Sequence, residues 1–107
     1  MSKTVLLLGR LGVVVEDARR QLGMPEVRLL TATDLEEVRA AMEETGNRID
    51  HVIMGAGLEL EDRLAIIREI MQTSDTTTVH MKDFASGPAA FLPFVQSVLT
   101  GLAGYEP

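Results

Sequence analysis

Apolar runs and helical periods alternate four times along this chain. Val5-Leu6-Leu7-Leu8 is continuously apolar and ends at Gly9, the pattern of a strand buried on both faces. Val15, Ala18 and Leu22 then recur at helical spacing, with Glu16, Asp17, Arg19 and Arg20 on the opposite side and Gly23 and Pro25 as stop signals. Val27-Arg28-Leu29-Leu30-Thr31 predicts a second strand. Thr33-Asp34-Leu35-Glu36 has the spacing of a capping box, Thr33 as the cap and Glu36 as the reciprocal acceptor. Leu35, Val38 and Met42 make the apolar stripe of that helix, which Gly46 and Asn47 close. Ile49 through Met54 predicts a third strand that runs into Gly55-Ala56-Gly57. Leu60, Leu64, Ile67 and Met71 repeat at helical spacing as a core stripe, beside a Glu59–Arg63 pair four apart. The β-branched run Thr76-Thr77-Thr78-Val79-His80-Met81 predicts a fourth strand. Ser86-Gly87-Pro88 punctuates, and an apolar helix follows from about Ala89 to Leu102.

This alternation implies right-handed crossovers and a parallel sheet. The first and third runs are apolar throughout, as central strands are. The second and fourth carry Arg28, and Thr76, Thr78 and His80, as edges do. The predicted fold class is α/β: a single small doubly wound sheet spanning 1–107, with four mainly parallel strands in the order 2-1-3-4 and helices on both faces.

Composition narrows the functional classes. Of 107 residues 46% are hydrophobic, enough for one core, and no apolar run approaches the roughly 18 residues that span a bilayer. The first apolar run is followed by Gly9-Arg10 and reads as a buried strand rather than a signal peptide, so a cytoplasmic location is expected. The absence of cysteine removes disulfides, thiolate metal sites and thiol nucleophiles. Two histidines far apart in sequence argue against a structural zinc site, and no metal ligand set is expected. A net charge of −6 opposes nucleic acid and anionic membranes as partners, and three Phe, one Tyr and no Trp leave little for base stacking.

Open α/β sheets bind ligands beyond the carboxyl ends of their strands, where the strand order reverses. In the order 2-1-3-4 that crevice lies between strands one and three. Its candidate ligand-binding residues are Gly9, Arg10 and Gly12 on one side and Gly55, Ala56 and Gly57 on the other, flanked by Asp34 and Lys82. Glycines there would let backbone N–H groups approach an anion, and Arg10 and Lys82 would add positive charge. The same glycines also serve as ordinary strand-to-helix turns, and Asp34 suits a first helical turn. Gly9-x-x-Gly12 lacks the third glycine of a dinucleotide fingerprint, and Val13, Val14 and Val15 follow it. Neither Ser86, Ser97 nor the Thr76–Thr78 run has a base and an orienting acid, so no catalytic residue is expected. No cofactor is expected either; a nucleotide is the small molecule the rim would suit.

Two family resemblances rest on short segments. Ile49-Asp50-His51-Val52-Ile53-Met54-Gly55-Ala56-Gly57 resembles the strand of short-chain dehydrogenases that ends in Asn-Asn-Ala-Gly, and Thr33 through Met42 is similar to the family segment whose Asp lies near the adenine. The resemblance implies an adenine-side role for Asp34 and a nicotinamide-side wall of Met54-Gly55-Ala56-Gly57. It covers residues 33–57, lacks both asparagines and has no Tyr-x-x-x-Lys, which removes the family's proton donor. The strand–helix pattern as a whole resembles the receiver-like, flavodoxin-type class. Where receivers carry their acidic pair and phosphorylatable Asp, this chain has Gly9-Arg10 and Met54-Gly55, and Lys82 alone looks like the family's lysine. Phosphoryl transfer is therefore not implied.

An open four-stranded sheet has two edges to cover or pair. In the last helix Phe91, Val95, Val98 and Leu102 form one apolar stripe, with Leu92, Leu99 and Ala103 beside it. Pro93 requires the regular helix to start around Leu92. The surplus apolar surface predicts a homodimer through Phe91, Phe94, Val95, Val98 and Leu102, with edge strand four as the rival contact and a single broad core helix as the alternative. The expected function is a non-catalytic binding or interaction domain, as a homodimer or with a partner protein. The alternative is a degenerate Rossmann-like nucleotide or small-anion binder, related to oxidoreductases but without their catalytic residues.

Overall fold

The computed structural model describes residues 3–10, 12–22, 27–83, 85 and 87–104. The elements run β1 (Lys3–Leu8), α1 (Gly12–Leu22), β2 (Val27–Ala32), α2 (Leu35–Glu44), β3 (His51–Met54), α3 (Leu60–Thr73), β4 (Thr78–Met81), a 3₁₀ turn at Pro88–Ala90 and α4 (Phe91–Gly104). All strands are parallel, in the order β2-β1-β3-β4. The expected stop signals Gly23 and Pro25 lie outside the described residues, as does Ser86. No helix among the described residues is long and apolar enough to cross a membrane.

The alternation of side chains along β1 and β3 divides the core into two layers. Leu6, Leu8, Val52 and Met54 point to one face, where Val38, Ala41 and Met42 of α2 and Ile66 and Ile70 of α3 cover them. Val5, Leu7 and Ile53 point to the other, under Val15 and Ala18 of α1 and Phe91, Val95 and Leu99 of α4. Val5–Leu8 of β1 and Val52–Met54 of β3 are fully buried, which explains these unbroken apolar runs.

Helix α2 shows how local signals set an element. Its cap is Asp34, not Thr33: Asp34 Oδ1 accepts from the Glu37 N–H at 2.8 Å, and Glu37 Oε1 accepts from the N–H and hydroxyl of Thr33 at 2.7 and 2.8 Å. The cap thus sits one residue beyond the predicted Thr33–Glu36 pair, on the charged acceptor Asp34, and Glu37 reaches back past it to the N–H and hydroxyl of Thr33 rather than closing a reciprocal box with Asp34. At the other end the Gly46 N–H bonds Glu43 O and the Asn47 N–H bonds Met42 O, with φ of 63° and 61° at the two residues. This is a Schellman closure, and glycine makes its left-handed turn without a Cβ penalty.

Two helices differ from their predicted faces. In α3 the core residues are Ile66 and Ile70, while Leu60, Leu64 and Met71 of the predicted core stripe are 57, 51 and 48% exposed; of that stripe only Ile67 packs against the core. The chain carries two overlapping stripes, and Leu58, buried just before the helix, places the Ile66–Ile70 side downward. Arg63 donates from Nε to the Leu58 carbonyl at 3.1 Å. In α4 the reverse holds. Phe91, Val95 and Leu99 are buried, and Leu92, Phe94 and Val98 pack partly against the same cluster. The helix begins at Phe91, so Pro93 falls in the first turn, where no intrahelical N–H bond is required.

Candidate functional site

The carboxyl crest of the sheet is assembled as the strand order requires. The β1–α1 turn adjoins the β3–α3 turn: a Cβ at Gly57 would stand 3.1 Å from the Cβ of Arg10, which is exposed. Gly12 starts α1 beside Thr33, 3.7 Å from its Cγ2 on the same measure. Gly9 and Gly55 are buried and serve packing. A Cβ on Gly9 would lie 2.9 Å from Val15 Cγ1, and one on Gly55 would lie 3.2 Å from the ring of Phe91. Phe91 thus occupies the space above Gly55, and the first turn of α4 sits where a ligand would approach the end of β3. Ala56 is half-buried and Gly57 exposed.

The flanking charges are engaged locally. Asp34 spends its Oδ1 on the α2 cap. Lys82 is buried, its N–H bonded to Met54 O at 2.9 Å and its Nζ donating to the Asp83 carbonyl at 2.9 Å. A hollow of about 320 Å³ opens on the neighbouring side, between the starts of α2 and α3, with Leu35, Leu58 and Ile66 at its base and Asp34, Glu36 and Asp62 around it. Its acidic rim opposes the anionic ligand expected of the crest.

The face that sequence reasoning placed in the core is an exposed one. Glu69 of α3 pairs with Arg39 of α2 at 3.0 Å, which turns that flank of α3 toward α2. At 100° per residue Leu60, Leu64, Ile67 and Met71 fall on the flank away from α2. That flank overlooks β4, where Val79 packs partly against the α2/α3 core and Met81, on the same face of the strand, is 47% exposed. The register pairs Val52 with Val79 and Met54 with Met81, so Met81 continues the apolar face of β3 outward.

Strand β4 is also an open edge. Thr78 N–H bonds inward to Asp50 O at 3.0 Å and Lys82 N–H to Met54 O. In a parallel ladder alternate residues bond the same neighbour, so Val79 and Met81 turn both N–H and C=O outward. No charged residue or proline stands within Thr78–Met81, the devices by which edge strands usually discourage pairing.

On the opposite face of the same edge, the two histidines that are distant in sequence come together. Thr78 Oγ1 lies 2.6 Å from His51 Nδ1 and 2.9 Å from His80 Nε2, and the two imidazoles stand edge to face with centroids 6.1 Å apart. With one proton, the hydroxyl donates to one ring and accepts from the other, which couples the two tautomers. Burial lowers the His51 pKa below the usual imidazole value, with His80 and Lys3 adding to the shift and Asp50 opposing it. A parallel register that sets His51 beside Thr78, and Ile53 beside His80, explains the meeting. The β3–β4 pairing predicted from sequence contained this signal, but only with the register known. Among the described residues no group of three or more His, Asp or Glu side chains is arranged to hold a metal ion.

Comparison with models of protein families, with curated proteins and with solved structures finds no match to this chain.

Proposed function

We propose that this chain is a non-catalytic α/β interaction module that pairs with a second copy of itself, edge to edge through β4. The observation that carries this reading is the placement of the exposed large apolar side chains among the described residues. Leu60, Leu64, Met71 and Met81 all lie on the α3 flank and on β4, whereas Phe91, Val95 and Leu99 of α4 are buried in the chain's own core, Leu92, Phe94 and Val98 pack partly against it, and Leu102 is half-buried. The sequence-based expectation of a homodimer is therefore kept, but its contact moves from α4 to the rival edge. A two-fold axis normal to the sheet would run β4 antiparallel to its copy and keep both α3 helices on one face. Their apolar flanks and both Met81 side chains would then leave water together, which exposed apolar surface of this extent favours.

Sedimentation equilibrium in the presence of a chelator tests the reading. Wild type should associate to a dimer. Leu64→Glu changes an exposed side chain, so it should keep the circular dichroism and melting temperature of wild type while weakening the dimer at least about tenfold, a loss of roughly 1.4 kcal/mol. A wild-type protein that stays monomeric at high concentration would overturn the proposal.

One observation favours a second reading, a small anion held at the crest: Arg10 is exposed and directly beside Gly57 and the start of α1. It predicts that a nucleoside diphosphate protects Arg10 from guanidine-directed modification, and absence of protection would dismiss it.

A further inference from the structure

We propose that His51 and His80 of one chain chelate a divalent transition-metal ion of the imidazole-preferring class (copper(II), nickel(II) or zinc) in the place held by the Thr78 hydroxyl. The site lies within a single chain and does not rest on the pairing of β4. Its basis is the direction of two ring nitrogens. His51 Nδ1 and His80 Nε2 both face Thr78 Oγ1, at 2.6 and 2.9 Å. Nitrogens aimed at one oxygen are also aimed at an ion that takes its position, because the metal bond lies along the same lone pair. Zinc–imidazole bonds are about 2.0–2.1 Å long, so each ring closes on the ion by less than about 1 Å.

The surroundings permit the exchange. With one proton, the hydroxyl holds one ring as the N–H donor and the other as bare nitrogen. Moving the first ring's proton to its outer nitrogen leaves both inner nitrogens as ligands. Burial lowers the His51 pKa, so less of that ring is protonated in competition with a metal. Thr78 is exposed, and its hydroxyl can turn to water; the two hydrogen bonds it gives up are the ones the ion replaces. The β3–β4 ladder holds the two ligands in place, with His51 registered to Thr78 and Ile53 to His80. Asp50 and Lys3, the other charged groups that act on His51, oppose each other in sign, and the net charge of −6 favours a cation. Neutral imidazole suits zinc, nickel and copper, with copper(II) strongest in the divalent series, whereas calcium and magnesium prefer oxygen ligands. Two protein ligands leave the remaining positions to water, so the ion is exchangeable rather than structural.

The experiment is a calorimetric titration of chelator-stripped, dialysed protein with copper(II) sulfate. It compares wild type, His51→Gln, His80→Gln, the double variant and Thr78→Ala, each checked for wild-type circular dichroism. Wild type should bind one copper per chain, with two coordinated nitrogens in its electron paramagnetic resonance spectrum. Outer-shell changes at metal sites already cost about 10–100-fold, so loss of either ring should weaken binding by more than about tenfold. Thr78→Ala removes the competing hydroxyl but keeps the rings, and should bind copper as tightly as wild type or tighter. Copper should raise the melting temperature of wild type and not of the double variant, and excess magnesium chloride should not displace it. Wild type that binds copper no more tightly than the double variant would overturn the inference. So would a loss confined to one of the two single variants, or displacement by magnesium. A measurement on wild type alone guards against variants that fail to fold: copper should protect both histidines from diethyl pyrocarbonate, and equal modification with and without copper would equally overturn the site.

Discussion

Gly55 and Phe91 act as a pair. The glycine at the end of β3 reads in sequence as a place for a ligand to approach the backbone, yet its missing side chain makes room for the Phe91 ring. Gly55→Val would push that ring and the first turn of α4 outward. It should lower stability by about 1–3 kcal/mol, the usual cost of overpacking, as read from a urea midpoint. An unchanged midpoint would mean that Phe91 does not fill this space. At the α2 cap, Asp34→Ala removes the acceptor of the Glu37 N–H and should cost about 1 kcal/mol. Thr33→Ala should cost less, because the Thr33 hydroxyl only donates to Glu37 and its backbone N–H remains bonded there. Equal losses would restore Thr33 as the cap. The spacing of the capping box was legible in the sequence. Which residue caps the helix was not, because Thr33 and Asp34 are both capping residues with a glutamate three positions on.

Among elements, the strands were the most legible, since Val5–Leu8 of β1 and Val52–Met54 of β3 are apolar runs and a strand segment buried on both faces has few other solutions. The order 2-1-3-4 followed from that contrast and is the order observed. Helix phase was less legible. In α3 two stripes compete, Leu60-Leu64-Ile67-Met71 and Ile66-Ile70, and periodicity alone favours the longer one. The loop that delivers Leu58 to the core decides for the shorter. In α4 the apolar residues are too many for a narrow stripe, and Leu92, Phe94 and Val98 join Phe91, Val95 and Leu99 against the cluster of α1 and β1. These assignments separate two substitutions. Phe94→Glu places a charge against the α1/α4 core and should lower the melting temperature, as for any charge forced into an apolar layer. Met81→Pro removes an N–H that faces outward and a side chain that is half exposed. Proline is tolerated at such edge positions, so the fold should persist while association is lost. If Phe94→Glu dissociated a dimer without loss of stability, the contact would return to α4.

For the whole molecule, the open edge is the feature that joins these scales. One face of β4 carries the apolar continuation of the core, the other carries the His51–Thr78–His80 cluster, and the outward backbone of Val79 and Met81 lies between them. The crest, where comparable sheets hold their ligands, is occupied by Phe91 and by local hydrogen bonds of Asp34 and Lys82. Sequence reasoning found the crest because strand ends are marked by glycine. It did not find the edge cluster because two single histidines 29 positions apart meet only through the β3–β4 register.

The most direct test uses the absence of cysteine from the chain. The outward backbone groups of Val79 and Met81 are satisfied in an antiparallel pair when Val79 faces Met81 of the copy, which sets residue 80 opposite itself, and His80→Cys introduces a single thiol there. In a non-hydrogen-bonded antiparallel pair the two Cα atoms would be about 4.5 Å apart, within the range that a disulfide bridges. Mild air oxidation of dilute protein in chelator should give a covalent dimer in high yield, visible on a non-reducing gel. Gln96→Cys, exposed on α4, should stay uncross-linked and run as a monomer on the same gel. Rapid and selective cross-linking through position 80 is the predicted result. Equal or slower cross-linking at position 80 than at position 96 would contradict pairing through β4.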